Sequence, residues 1–65
     1  MQFSEETIFL FHSLYQNDTQ NLKFVAIELK KKGMRYMEII NLTRQETKLG
    51  LHDAIMLLEV PDVLI

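Results

Sequence analysis

Apolar residues recur at helical spacing along most of the chain, and this pattern predicts four short helices. The predicted helices run from about Glu5 to Gln16, Thr19 to Lys32, Arg35 to Glu46, and Leu51 to Glu59. The clearest period is that of the second helix, where Leu22, Val25, Ala26 and Leu29 fall on one stripe. Each helix therefore has at least one face that requires burial against another.

Residues that start and stop helices stand at the ends of these segments. Ser4 is a predicted N-cap, and Glu5 and Glu6 after it favour the positive end of the helix dipole. Gly33 is a predicted C-cap for the second helix, because a helix end often needs the left-handed backbone that glycine adopts easily. Pro61 ends the fourth helix. A turn with an N-cap is predicted over residues 17–19.

The predicted fold is all-α: a small bundle of three to four short helices, with a helical hairpin followed by a pair that resembles a helix-turn-helix. Short connections make consecutive helices neighbours. The sequence contains no repeat, low-complexity stretch or linker, so residues 1–65 are predicted to form a single domain.

More apolar residues are present than the main stripes require. Phe24 and Ile27 fall off the stripe of the second helix, and the sequence remains apolar through Val63, Leu64 and Ile65. Phe9 and Met37 are also surplus. Exposed apolar groups of this kind mark interaction surfaces. The candidates for partner binding are Phe24, Ile27, Val63, Leu64 and Ile65.

The length of the chain supports the same interpretation. A domain of 65 residues with 48% hydrophobic residues buries a small core, and the absence of cysteine excludes both disulfides and thiolate metal sites. Chains of this size commonly gain stability from a second chain. We therefore predict a homodimer or a complex with another protein.

Charge is distributed unevenly along the sequence. Residues 23–48 carry all seven cations and a net charge of +4, whereas the segments on either side each carry −3. The candidate partner-binding cations are Lys30, Lys31, Lys32, Arg35 and Arg44. This basic segment could bind an acidic partner, be neutralised within a dimer, or form a solvated face without a partner.

The sequence predicts no membrane segment. The longest uncharged run, Thr7 to Asn17, is much shorter than the ~20 residues that span a bilayer. Glu5 and Glu6 also stand where a secretory signal would be positively charged. A cytoplasmic location is therefore expected.

Candidate catalytic chemistry is sparse. His12 and Ser13 are adjacent, and neighbouring helical residues point about 100° apart, so they do not form a nucleophile–base pair. His52 and Asp53 are likewise adjacent, which is unsuitable for binding a metal. We expect no enzyme activity, metal, cofactor or small-molecule substrate, and we expect His12 to be half-buried with a backbone or carboxylate partner.

Residues 33–47, preceded by the lysine run, resemble the first helix and turn of helix-turn-helix DNA-binding domains. Lysines near a helix end suit phosphate contacts, and the helix after the turn would enter the major groove. In that arrangement Gly50 would lie within the reading helix.

Residues 44–59 resemble the helix pair in the C-terminal domain of the bacterial ribosomal stalk protein, whose pattern is R-E-x-T-G-L-G-L-K-E-A-K-x-L-V-E. The identical positions are Arg44, Thr47, Leu49, Gly50, Leu51, Ala54, Leu57 and Glu59. The resemblance extends weakly to residue 37 and implies close packing of two helices and binding of translation GTPases. Arg44 matches a cation of that family, while the lysines it presents to elongation factors correspond to Asn41, His52 and Ile55.

Taken together, the sequence favours a small, non-enzymatic helical module or regulator that binds a protein partner or its own copy through an apolar and partly basic surface. The alternative is a helix-turn-helix DNA-binding regulator.

Overall fold

A computed structural model describes residues 3–60 and shows four α-helices with no strand in that range. The helices are α1 (Glu5–Tyr15), α2 (Leu22–Lys31), α3 (Tyr36–Thr47) and α4 (Leu51–Leu58). The predicted all-α class is confirmed. None of these helices is both long and apolar enough to cross a membrane.

The helix ends lie within one residue of the prediction except at the start of the second helix. Residues Thr19–Asn21 form a 3-10 turn, so α2 begins at Leu22 and the predicted start at Thr19 is wrong. The side chain of Asp18 accepts a hydrogen bond of 2.9 Å from the Gln20 amide, and Asn21 Nδ2 donates to the Tyr15 carbonyl oxygen at 2.8 Å. These two hydrogen bonds give polar groups partners at the 3-10 turn, whose geometry is tighter than that of an α-helix.

Two predicted helix ends have the expected residues. Ser4 caps α1, since its hydroxyl accepts from the Thr7 amide at 3.2 Å. Beyond α2, Gly33 has φ +95°, and its amide donates to the Lys30 carbonyl while the Met34 amide donates to the Leu29 carbonyl. This pair of bonds is a Schellman motif, which requires a left-handed residue where Gly33 stands.

The connection between α3 and α4 is a three-residue turn. Lys48 adopts φ +65° directly after α3, and Gly50 is the N-cap of α4 with extended backbone. Gly50 therefore precedes the fourth helix, in agreement with the predicted start of that helix at Leu51, and does not lie within it as the helix-turn-helix arrangement would require. A glycine before a helix start is favourable, whereas one inside it costs about 1 kcal/mol.

The core is built around α2, which packs against all three other helices, while α3 also packs against α4. The buried apolar residues are Phe11, Leu22, Val25, Ala26, Leu29, Ile39, Ile40, Leu42, Ala54, Leu58 and Val60. The predicted stripe of α2 is thus entirely buried. The spacing of Leu51 with Ala54, Ile55 and Leu58 predicts that it lies on the inner stripe of α4. Leu51 is instead 46% exposed, in the first turn of that helix.

Candidate protein-binding surface

The outward side of α2 combines apolar and cationic side chains. Phe24 and Ile27 are 50% and 47% exposed, and Lys23, Lys30 and Lys31 stand around them. We call these five residues the basic face of α2. Opposite this face the helix buries Leu22, Val25, Ala26 and Leu29, so α2 is apolar on two sides, as the sequence predicts.

A groove runs beside the basic face of α2, where the end of α4 and the start of α3 approach it. Its volume is about 310 Å³. Ala26, Ile27, Tyr36 and Leu58 supply its apolar lining, and Lys23, Lys30 and Glu59 supply its charged lining. The groove can take up an apolar side chain and offer a positive charge beside it.

The lysines of this face differ in their partners. Lys23 Nζ lies 3.6 Å from Glu59 Oε1, and Lys31 Nζ lies 3.2 Å from Glu28 Oε2. Lys30 Nζ lies 4.6 Å from the centre of the Tyr36 ring, a cation–π contact. Within residues 3–60, Lys30 forms no ion pair with a carboxylate, so its charge is available to a ligand in the groove.

The other predicted cations divide into two groups. Lys32 and Arg35 are exposed and flank the α2–α3 turn as the C-cap of α2 and the N-cap of α3. Arg44 is exposed on the last turns of α3, about 12 Å along the helix axis from Tyr36. It does not line the groove.

The remaining predicted partner-binding residues, Val63, Leu64 and Ile65, lie outside the described residues. Four further large apolar side chains are exposed elsewhere: Phe9 (75%), Met37 (51%), Leu51 (46%) and Met56 (60%). Phe9 is the most exposed of them and stands on the outward side of α1.

The polar groups considered for catalysis have other partners. Ser13 Oγ donates to the Phe9 carbonyl at 2.9 Å, and His12 Nε2 lies 2.7 Å from Glu46 Oε1 on α3. The expected carboxylate partner of His12 is thus confirmed. Hydrogen bonds from Gln45 and then from His12 hold the pKa of Glu46 below its ordinary value, so Glu46 is an ionised acceptor at neutral pH.

Sequence reasoning missed the groove itself. The spacing of Tyr36 with Ile39, Ile40 and Thr43 predicts that it lies on the inner side of the third helix. No local signal predicts its contact with Lys30 or the contact of Glu59 with Lys23. Both contacts depend on how α3 and α4 pack on α2, which periodicity within one helix does not specify.

Comparison with known proteins gives no match to a family model, to a characterised protein or to a solved structure.

Proposed function

We propose that this chain is a small, cytoplasmic, non-enzymatic interaction module or regulator that binds a protein partner through the basic face of α2 and the adjoining groove. The partner would insert an apolar side chain against Ile27 and place a carboxylate near Lys30. This division of roles is typical of protein interfaces, where an apolar anchor is surrounded by polar groups.

The observation that carries the proposal is the exposure of Phe24 and Ile27 beside a groove with an apolar lining. Leu22, Val25 and Leu29 on the inner side of α2 are fully buried in the core. Phe24 and Ile27 on its outward side remain about half exposed. A protein partner would remove their apolar surface from water.

The distribution of cations favours a protein over DNA as the partner. The outward residues of α4, the counterpart of a reading helix, include Leu51, His52, Asp53 and Met56. Residues 51–58 contain no lysine or arginine, whereas major-groove contacts rely heavily on these side chains. Four of the exposed cations, Lys30, Lys31, Lys32 and Arg35, lie instead around the C-terminal end of α2.

A second candidate is binding of a translation GTPase through α3 and α4, as the resemblance to the ribosomal stalk helix pair implies. One observation favours it. Lys48 has φ +65° at the position where that pattern has glycine, so the turn has the backbone conformation that glycine adopts easily. This candidate predicts that Arg44→Glu abolishes binding to a purified translation GTPase. Such a loss would distinguish it from binding through the basic face of α2.

The main proposal is tested by affinity capture from extract of the native host with the full chain as bait. Ile27→Glu places a charge in the groove lining without disturbing the buried side of α2. Partners identified by mass spectrometry are then purified, and their dissociation constants are measured for the wild type and for Ile27→Glu. We expect at least about a tenfold loss of affinity, as for removal of a central anchor.

Met56→Ser is the matched control, because Met56 is exposed to a similar degree but does not line the groove. Its affinity should equal that of the wild type. If every captured partner binds Ile27→Glu as tightly as the wild type, the proposal is wrong.

A further inference from the structure

The outward side of α1 is an acidic counterpart of the basic face of α2. Phe9 is 75% exposed, and Glu5 and Glu6 precede it by one helical turn on the same side. Neither glutamate forms an ion pair with any residue of the range 3–60. We call Glu5, Glu6 and Phe9 the acidic face of α1. It presents one aromatic ring beside two carboxylates.

We propose that the partner bound by the basic face of α2 is a second copy of this chain, which seats Phe9 in the groove against Ile27. This inference rests on the proposed function, since it names the occupant of the same surface. It is carried by charge complementarity between two faces of one sequence, each with a central apolar residue.

The spacing on the two helices matches. On α2, Lys30 stands three positions after Ile27, and on α1, Glu6 stands three positions before Phe9. In each helix the charged residue therefore lies about 4.5 Å along the axis from the apolar residue. When the two helices run antiparallel, Phe9 meets Ile27 and Glu6 meets Lys30.

The contacts already made by the lysines of α2 favour the antiparallel arrangement over the parallel one. A parallel arrangement would bring the glutamates to Lys23, which is already paired with Glu59. The antiparallel arrangement brings them to Lys30, which is held over the Tyr36 ring and has no carboxylate partner in the part of the chain that the structure describes. The lysine without an ion pair thus faces the glutamates without one.

The groove suits the side chain that would enter it. Its apolar lining of Ala26, Ile27, Tyr36 and Leu58 removes an aromatic ring from water, and Tyr36 offers a ring for Phe9 to pack against. Because each copy carries both faces, a two-fold axis that sets α1 of each copy on α2 of the other would form the contact twice. The dimer would bury four of the exposed apolar residues, two from each copy.

The test is sedimentation equilibrium of the full chain from about 5 to about 500 µM at low salt. The wild type should form a dimer that weakens as salt is added. Phe9→Ser and Ile27→Ser should each shift the dissociation constant upward by at least about tenfold, because each substitution acts twice per dimer. Met37→Ser, which changes a residue of similar exposure outside both faces, should leave the dimer unchanged.

A charge exchange tests the pairing and its direction. Glu6→Lys and Lys30→Glu alone should each weaken the dimer, and the two substitutions in one chain should restore it to within about threefold of the wild type. Circular dichroism at each concentration confirms that the variants keep their helices. Failure of the double variant to recover would overturn the pairing.

A wild-type chain that stays monomeric throughout this range would overturn the second-copy inference. The proposed function would then be decided separately by the capture experiment, in which a different protein with an acidic, apolar surface would lose affinity for Ile27→Glu.

Discussion

His12 Nε2 lies 2.7 Å from Glu46 Oε1, and this hydrogen bond joins α1 to α3 across 34 positions of the sequence. The imidazole is 43% exposed and the carboxylate 17%. Glu46 also accepts a bond of 2.8 Å from Gln45 Nε2 through its other oxygen. Both carboxylate oxygens therefore have donors, which stabilise the ionised form.

This arrangement predicts a pH-dependent contribution to stability. The bonds from Gln45 and His12 hold the pKa of Glu46 below its ordinary value of 4.5 in the folded state. The stabilisation is thus fully present above about pH 4.5 and is lost as the pH falls through the lower, folded-state pKa. Glu46→Gln should lower the free energy of unfolding by about 0.5–1 kcal/mol at neutral pH, an amount that solvent exposure keeps small.

Thermal unfolding between about pH 7 and pH 3 measures the effect. The difference in Tm between the wild type and Glu46→Gln should shrink toward zero at the acidic end. Glu59→Gln, which removes a carboxylate whose ion pair with Lys23 is exposed on both sides, is the control and should change Tm little at any pH. A Tm difference for Glu46→Gln that persists undiminished at pH 3 would contradict the assignment.

The buried hydroxyl group of Thr43 predicts that an apolar substitution at this position stabilises the chain. Its hydroxyl is buried within the apolar core and has no hydrogen-bond partner among residues 3–60. An unsatisfied buried hydroxyl costs about 1–3 kcal/mol, and a methyl group of similar size does not incur this cost. Thr43→Val should raise the free energy of unfolding by about 1 kcal/mol, measured as a higher denaturation midpoint with an unchanged m-value.

Thr43→Ser provides the opposite change at the same position. It keeps the hydroxyl and removes the methyl group, so it should destabilise the chain. If Val and Ser both lower the denaturation midpoint, the hydroxyl stabilises the fold and the prediction is wrong.

The backbone conformation of Lys48 predicts a second stabilising substitution. With φ +65° it adopts a left-handed conformation that costs non-glycine residues about 1–2 kcal/mol. Lys48→Gly removes this cost but increases the entropy of the unfolded chain, so the net gain should be about 0.5–1 kcal/mol. Lys32→Gly, at a helix end with φ −81°, is the matched control and should destabilise the chain in the same denaturation assay.

Substitution by alanine should be more costly at Gly33 than at Gly50. Both positions are open, since a Cβ atom would meet nothing within 4 Å, but Gly33 has φ +95° whereas Gly50 has φ −71°. Gly33→Ala should therefore cost about 1–2 kcal/mol through the backbone alone. Gly50→Ala should cost only about 0.5 kcal/mol, because alanine adopts this backbone conformation freely and only the N-cap preference for glycine is lost. Equal effects in denaturant titrations would refute this explanation.

The helices and most of the core could be predicted because their signals are local. Ser4 and Gly33 mark helix ends by their own hydrogen bonds and backbone preferences, and the stripe of α2 is a matter of spacing. The 3-10 turn at Thr19–Asn21 was missed because it depends on Asn21 bonding to Tyr15 across the turn.

The candidate site could be predicted only in part. The surplus of Phe24 and Ile27 follows from periodicity, and both are exposed in the structure. The groove does not follow from periodicity, because Leu58 and Glu59 reach Lys23 and Ile27 only through the packing of α4 on α2. The left-handed backbone conformation of Lys48 likewise could not be predicted, since lysine has no preference for that conformation.

The central position of α2 has a consequence for hydrogen exchange. Because α2 contacts every other helix, separating it from its neighbours opens most of the core at once. Its amides should therefore exchange with solvent through global unfolding, whereas those near the ends of α1 exchange through local fraying. A ligand that binds the outward side of this one helix would slow exchange throughout the chain, well beyond the residues it touches.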